Sequence, residues 1–84
     1  MGDSQQQNEI KSDLSFEERL VKLLEHWIKH NQDHSDTYRD WAQKASREGL
    51  TDIALLIETA AGKTTRINRE FEKAVALVKM KSHI

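Results

Sequence analysis

The 84-residue chain is 37% hydrophobic and 32% charged, with three glycines and neither proline nor cysteine. This length allows one small domain, and the scarcity of helix breakers favours long helices over a β architecture. Without cysteine, the protein has no disulfide, thiolate metal site or thiol catalysis. No apolar run approaches the about 18 residues needed to cross a membrane, and no signal-peptide core is present, so we expect a cytoplasmic location without membrane contact.

The chain divides into a polar head and a helical body. Residues 1–13 are rich in glutamine and contain little apolar surface. They cannot bury enough of it to offset the entropy of ordering, so we expect a disordered tail. Residues 14–80 are expected to form an all-α domain, a three-helix up-down-up bundle with a long third helix.

The first helix is predicted to begin at a capping box. Ser15 and Glu18 have the required spacing, and a wide apolar stripe centred near Leu24 follows. A stripe of this width normally faces two neighbouring helices. Asn31 tolerates the left-handed backbone conformation, so we expect the first helix to end there, because one helix of about 34 residues would be unusual in a small domain.

The second helix is predicted over about residues 34–48, with Gly49 just beyond its end. Its narrow apolar face has helical spacing and comprises Tyr38, Trp41, Ala42 and Ala45. Trp27 and Trp41 are both expected to anchor the core, where truncation of a tryptophan to alanine costs about 3–5 kcal/mol.

The third helix is predicted to start with Thr51 as its N-cap and to reach Lys79 or Met80, a length of about 40 Å. We expect it to overhang the other two helices, to kink at Gly62, or to pair with another chain. The predicted core seam has heptad-like spacing and comprises Ile53, Ile57, Ala60, Thr64, Ile67, Phe71, Ala74 and Val78.

Three of the four histidines, His26, His30 and His34, follow one another at intervals of four residues. On a helix, residues four apart lie on one face, which is a workable geometry for imidazoles that share a metal ion. Imidazole suits nickel and zinc as well as copper and iron. Glu25, Asp33 or Glu58 could supply a carboxylate as a further ligand.

Helical phase supports a competing interpretation. His26 points almost opposite the apolar stripe and His30 lies at its shoulder, so any metal site would be open to solvent. In this interpretation the histidines are surface residues, and their charged form stabilises a helix C-terminus near which they lie. The spacing alone leaves both interpretations open.

Composition and motifs favour a binding domain over an enzyme or a nucleic-acid-binding protein. No set of nucleophile, base and orienting residue is readable, so no catalysis is expected. Residues 63–84 carry six basic and two acidic residues, which complement the C-terminal dipole of a long helix. The third helix opens with Asp52 and apolar residues, unlike a groove-reading helix, so no nucleic-acid partner is expected. Two functions remain: binding of nickel or zinc by the histidines, or binding of a protein partner, including self-association.

One stretch resembles a known family. It runs from Leu24 to Asn31, with His34, Trp41–Ala42 and Gly49–Leu50 after it, and contains the pattern H-W-x-x-H-N-x-x-H. It is similar to a small helical domain of unknown function in archaea and anaerobic bacteria, and the similarity covers about residues 18–78. The family is associated with nickel-binding accessory proteins for carbon-monoxide dehydrogenase. The resemblance implies an all-helical domain, a metal role for the three histidines, and no established activity.

Overall fold

A computed structural model describes residues 15–82, which form two antiparallel α-helices joined by a short turn. The first helix, α1, spans Phe16–Arg47, and the second, α2, spans Thr51–Ser82. The hairpin measures 53 × 29 × 13 Å. Because one α-helix with its side chains is about 10–12 Å across, the molecule is a slab one helix thick. The expected disorder of residues 1–13 lies outside the described residues.

The predicted three-helix bundle is wrong, because the predicted first and second helices are one continuous helix. No glycine or proline interrupts the chain between Phe16 and Arg47. Asn31 does not end the helix; its side-chain amide instead donates to Asn68 Oδ1 on α2 at 3.0 Å. A partner on the facing helix therefore offsets the low helix propensity of asparagine.

Both predicted signals that delimit α1 are confirmed. At its start, Ser15 Oγ accepts from the Glu18 amide at 3.1 Å, and Glu18 Oε1 accepts from the Ser15 amide at 3.0 Å, which completes the capping box. At its end, Gly49 adopts φ +84°, its amide donates to Ser46, and the Leu50 amide donates to Ala45. These two bonds form a Schellman motif, and the positive φ explains the glycine.

The second helix runs through Gly62 without interruption and ends at Ser82, close to the predicted end. No atom lies within 4 Å of the position that a Cβ would take at Gly62. Close packing therefore does not explain this glycine, which costs about 1 kcal/mol in a helix relative to alanine.

The core lies between the two helices and is built mainly from small side chains. Its buried residues are Val21, Leu24, Ser35, Ala42, Ala54, Ala61 and Asn68. The predicted α2 seam is right at five of its eight positions: Ile57, Thr64, Phe71, Ala74 and Val78 are half-buried. At the other positions Ile53 and Ile67 are almost half exposed, and the chain buries Ala54, Ala61 and Asn68 one residue further on. The small side chains permit close helix contact, and the asparagine finds hydrogen-bond partners there.

The tryptophans do not anchor this core as predicted. Trp41 is 58% exposed and Trp27 is 38% exposed. Trp27 reaches only the edge of the seam, where its ring lies 5.6 Å from that of Phe71. With no third helix to cover them, both rings remain at the surface of the slab.

Candidate functional site

The three predicted metal ligands lie in a row on the exposed surface of α1. The ring centroids of His26 and His30 are 6.2 Å apart, and those of His30 and His34 are 4.4 Å apart. The closest approach joins the Nε2 atoms of His30 and His34, at 3.0 Å. The structure therefore brings two of the three imidazoles together through their nitrogens, with His26 further along the helix.

A nitrogen pair at this distance can share a metal ion. With metal–nitrogen bonds of about 2.0–2.1 Å, a 3.0 Å separation corresponds to an angle of about 91–97° at the metal. This angle suits square-planar or octahedral coordination better than tetrahedral coordination. The same distance equally suits a hydrogen bond between two neutral rings.

The candidate carboxylate ligands do not join the histidine pair. Asp33 pairs with Lys29 at 3.0 Å, and Glu25 lies 3.9 Å from Lys79. Glu58 lines a groove near the turn. Between residues 15 and 82, no three histidine or carboxylate side chains converge closely enough to hold a metal ion.

A second feature is an apolar face that both helices share. Residues 20, 27, 34 and 41 recur every seven positions on α1, and residues 53, 60, 67 and 74 do so on α2. Phe71 is one helical turn from both Ile67 and Ala74, so its contact with Trp27 places the two rows on the same side of the hairpin. We call this side the apolar face; its large exposed side chains are Trp27, Trp41, Ile53, Leu56, Ile67 and Leu77.

The opposite side of the hairpin is polar. There Glu25 approaches Lys79, and the Arg39 guanidinium donates to Thr65 Oγ1 at 3.2 Å. Near the turn this side carries a shallow groove of about 460 Å³, lined by Ala42, Gln43, Ser46, Thr51, Ala54, Leu55 and Glu58. The groove contains one carboxylate and no histidine, so it offers no acid–base pair for catalysis.

Between the two faces, a polar network crosses the centre of the seam. The Asn68 amide donates to the Ile28 carbonyl at 2.9 Å and its Oδ1 accepts from Asn31. The Ser35 hydroxyl donates to the Ala61 carbonyl at 3.3 Å. In the described part of the chain, every buried side-chain polar atom has a partner. The network therefore sets the register of the two helices, because sliding either one by a turn would leave these groups unpaired.

Sequence reasoning missed this network and the shared face, although a signal for both was present. On α2, positions 54, 61 and 68 are seven apart and carry alanine, alanine and asparagine. They are small or polar, like their partners Ser35 and Asn31 on α1. The α1 row at 20, 27, 34 and 41 is likewise visible as a period of seven once α1 is treated as one helix.

Comparison with known proteins gives a family without a described activity. The model of the family described as "Domain of unknown function (DUF8180)" matches residues 20–78. The chain belongs to this family. An uncharacterised protein of Archaeoglobus fulgidus is 31% identical over 61 residues, which cover 73% of this chain and 97% of that protein. No solved structure matches the chain.

The DUF8180 region takes in the histidine row, the apolar face and the turn at Gly49. The resemblance expected from the sequence is therefore confirmed as far as a helical domain of unknown function with an archaeal relative. The nickel association stays a prediction. Neither described helix of this DUF8180 protein has a stretch apolar and long enough to cross a bilayer.

Proposed function

We propose that this protein is a self-associating binding domain in which two hairpins pack apolar face against apolar face as a four-helix bundle. The observation that carries the proposal is the apolar face on a slab only one helix thick. A soluble monomer rarely leaves so many large apolar side chains exposed on one side, and such surfaces mark interaction sites.

The surface area and the chemistry favour a second copy of the chain as the occupant. A stable interface needs about 800 Å² from each partner, and the 53 × 29 Å face of the hairpin exceeds this area. Two-helix hairpins that pair in this way have the layered core of a four-helix bundle. The wide stripe on α1 then faces two neighbours, α2 and a helix of the second copy, as its width predicts.

The first 14 residues of the chain do not fit as the occupant. Met1, Ile10 and Leu14 are their only large apolar residues. They offer much less apolar area than the six exposed side chains of the apolar face, so they cannot replace a second hairpin.

Two adjacent leucines provide a matched test. Leu56 belongs to the apolar face and is 71% exposed, whereas Leu55 lines the groove on the polar side and is 63% exposed. We expect the native protein to sediment as a dimer at high micromolar concentration. Leu56→Gln should weaken the dimer about tenfold or more, because burying a polar amide in the interface costs about 1–3 kcal/mol. Leu55→Gln should leave the dimer unchanged.

Sedimentation equilibrium across a wide concentration range measures both variants. A native protein that remains monomeric throughout would refute self-association. Equal effects of the two substitutions would show that the apolar face is not the interface. Far-ultraviolet circular dichroism confirms that each variant retains its helices.

A second candidate function is the binding of nickel or zinc through His26, His30 and His34. The 3.0 Å separation of the His30 and His34 nitrogens favours it, because chelation then needs little rearrangement. The helix places the two rings in advance, so the entropy that a flexible peptide loses on chelation is already lost.

The contrast between rings held by the helix and rings on a flexible peptide gives the test of metal binding. We expect the full chain to bind Ni²⁺ more tightly than a peptide of residues 24–36, measured by titration calorimetry. Binding should weaken as the solution is made more acidic, because protons compete with the metal for the ring nitrogens. Equal affinity of protein and peptide would reject a built site.

A further inference from the structure

We infer that His30 and His34 form half of a metal site, which a second copy of the chain completes on the two-fold axis of the dimer. The inference rests on the proposed self-association and adds the ligand that regulates it. The ligand is a divalent transition metal that favours 90° angles between ligands, such as Ni²⁺.

The position of the pair along α1 is the first reason. The midpoint of Phe16–Arg47 lies between residues 31 and 32. At 1.5 Å per residue, His30 lies about 2 Å to one side of this midpoint and His34 about 4 Å to the other. The two rings therefore straddle the centre of the hairpin.

The symmetry of a dimer is the second reason. Homodimers are usually isologous, so each residue near the two-fold axis lies near its own copy. If the axis crosses α1 at its midpoint, the two copies of α1 run antiparallel, with favourable dipoles. His34 then lies level with His30 of the second copy to within about 2 Å along the helix axis. Four imidazoles meet at one place.

The location of the pair across the helix is the third reason. Position 34 belongs to the same seven-residue row as Trp27 and Trp41, so His34 lies within the apolar face. Packing of two such faces excludes water around the rings. The pair lacks a third ligand in the described chain, and the second copy supplies two more nitrogens. A set of four nitrogens in tetragonal geometry is typical of Ni²⁺ and Cu²⁺.

The test uses the full chain without an affinity tag, freed of metal with a chelator and titrated with Ni²⁺. We expect one ion for every two chains. Because the ion binds the dimer, the dissociation constant of the dimer should fall about 100-fold when free Ni²⁺ is 100 times its own dissociation constant. His30→Ala and His34→Ala should each remove this effect.

His26 provides the matched control, because it belongs to the row of three histidines on α1 but lies outside the proposed four-imidazole cluster. His26→Ala should retain both the stoichiometry and the effect of Ni²⁺ on dimerisation. The Leu56→Gln variant should bind Ni²⁺ more weakly than the native dimer.

The outcomes separate this inference from the proposed function. One ion per chain, no Ni²⁺ binding, or equal affinity in Leu56→Gln would refute the shared site and leave the metal-free dimer standing. A protein that is monomeric with and without Ni²⁺ would refute both. A dimer in which α1 packs on α2 of the second copy would not bring the two histidine pairs together. It would not bind one Ni²⁺ ion for every two chains, and that result would also refute the shared site.

Discussion

Trp41→Ala is expected to weaken the dimer about 30-fold or more while leaving the hairpin almost as stable as before, because a tryptophan that an interface buries contributes about 2 kcal/mol or more. Trp41 is 58% exposed in the single chain, and its ring lies 4.4 Å from the Lys44 ammonium rather than within the core. Its indole therefore contributes little until a partner covers it.

Trp27→Ala is the informative comparison. The Trp27 ring contacts Phe71 and is less exposed, so its removal should lower the free energy of unfolding as well as weaken the dimer. Urea unfolding followed by circular dichroism, at a concentration at which the monomer predominates, separates the two effects. If Trp41→Ala destabilises the monomer as much as Trp27→Ala does, the account of the apolar face fails.

Asn68→Ala is expected to lower the free energy of unfolding by about 2–3 kcal/mol, because it removes two cross-helix hydrogen bonds and leaves buried groups without partners. Asn68 is 5% exposed; its amide donates to the Ile28 carbonyl and its oxygen accepts from Asn31. This loss is large for a hairpin whose core consists mostly of small side chains.

Gln32→Ala is the control for this substitution. The Gln32 amide donates to Asp36 on the exposed surface of the same helix, so its loss should change stability by less than about 0.5 kcal/mol. The double variant Asn31→Ala/Asn68→Ala should cost less than the sum of the single changes, because the two side chains share one bond. Additive losses in urea unfolding would contradict the pairing.

Local signals in the sequence located both ends of α1 well. Ser15 with Glu18 set the start of α1, and Gly49 set its end, because both depend on groups within a few residues. Asn31 misled the prediction for the opposite reason. Its side chain suits a turn when considered locally, but its partner Asn68 is 37 residues away in the chain.

The histidine site, too, was predictable only as far as local spacing determines it. The four-residue spacing of the histidines placed them on one face of a helix, and phase placed His26 toward solvent, as observed. Spacing did not show that only His30 and His34 would bring their nitrogens to 3.0 Å. That distance depends on the side-chain rotamers, which spacing along the helix does not determine.

By itself, the sequence determined an all-α chain with defined caps and a row of imidazoles, since capping and periodicity are properties of neighbouring residues. Only the tertiary structure decided that residues 16–82 form two helices, that small and polar residues fill the seam, and that the larger apolar side chains remain uncovered. The physical reason is that hydrogen bonds between distant positions, above all Asn31 with Asn68, select the rotation of each helix about its axis. That rotation turns the tryptophan row outward.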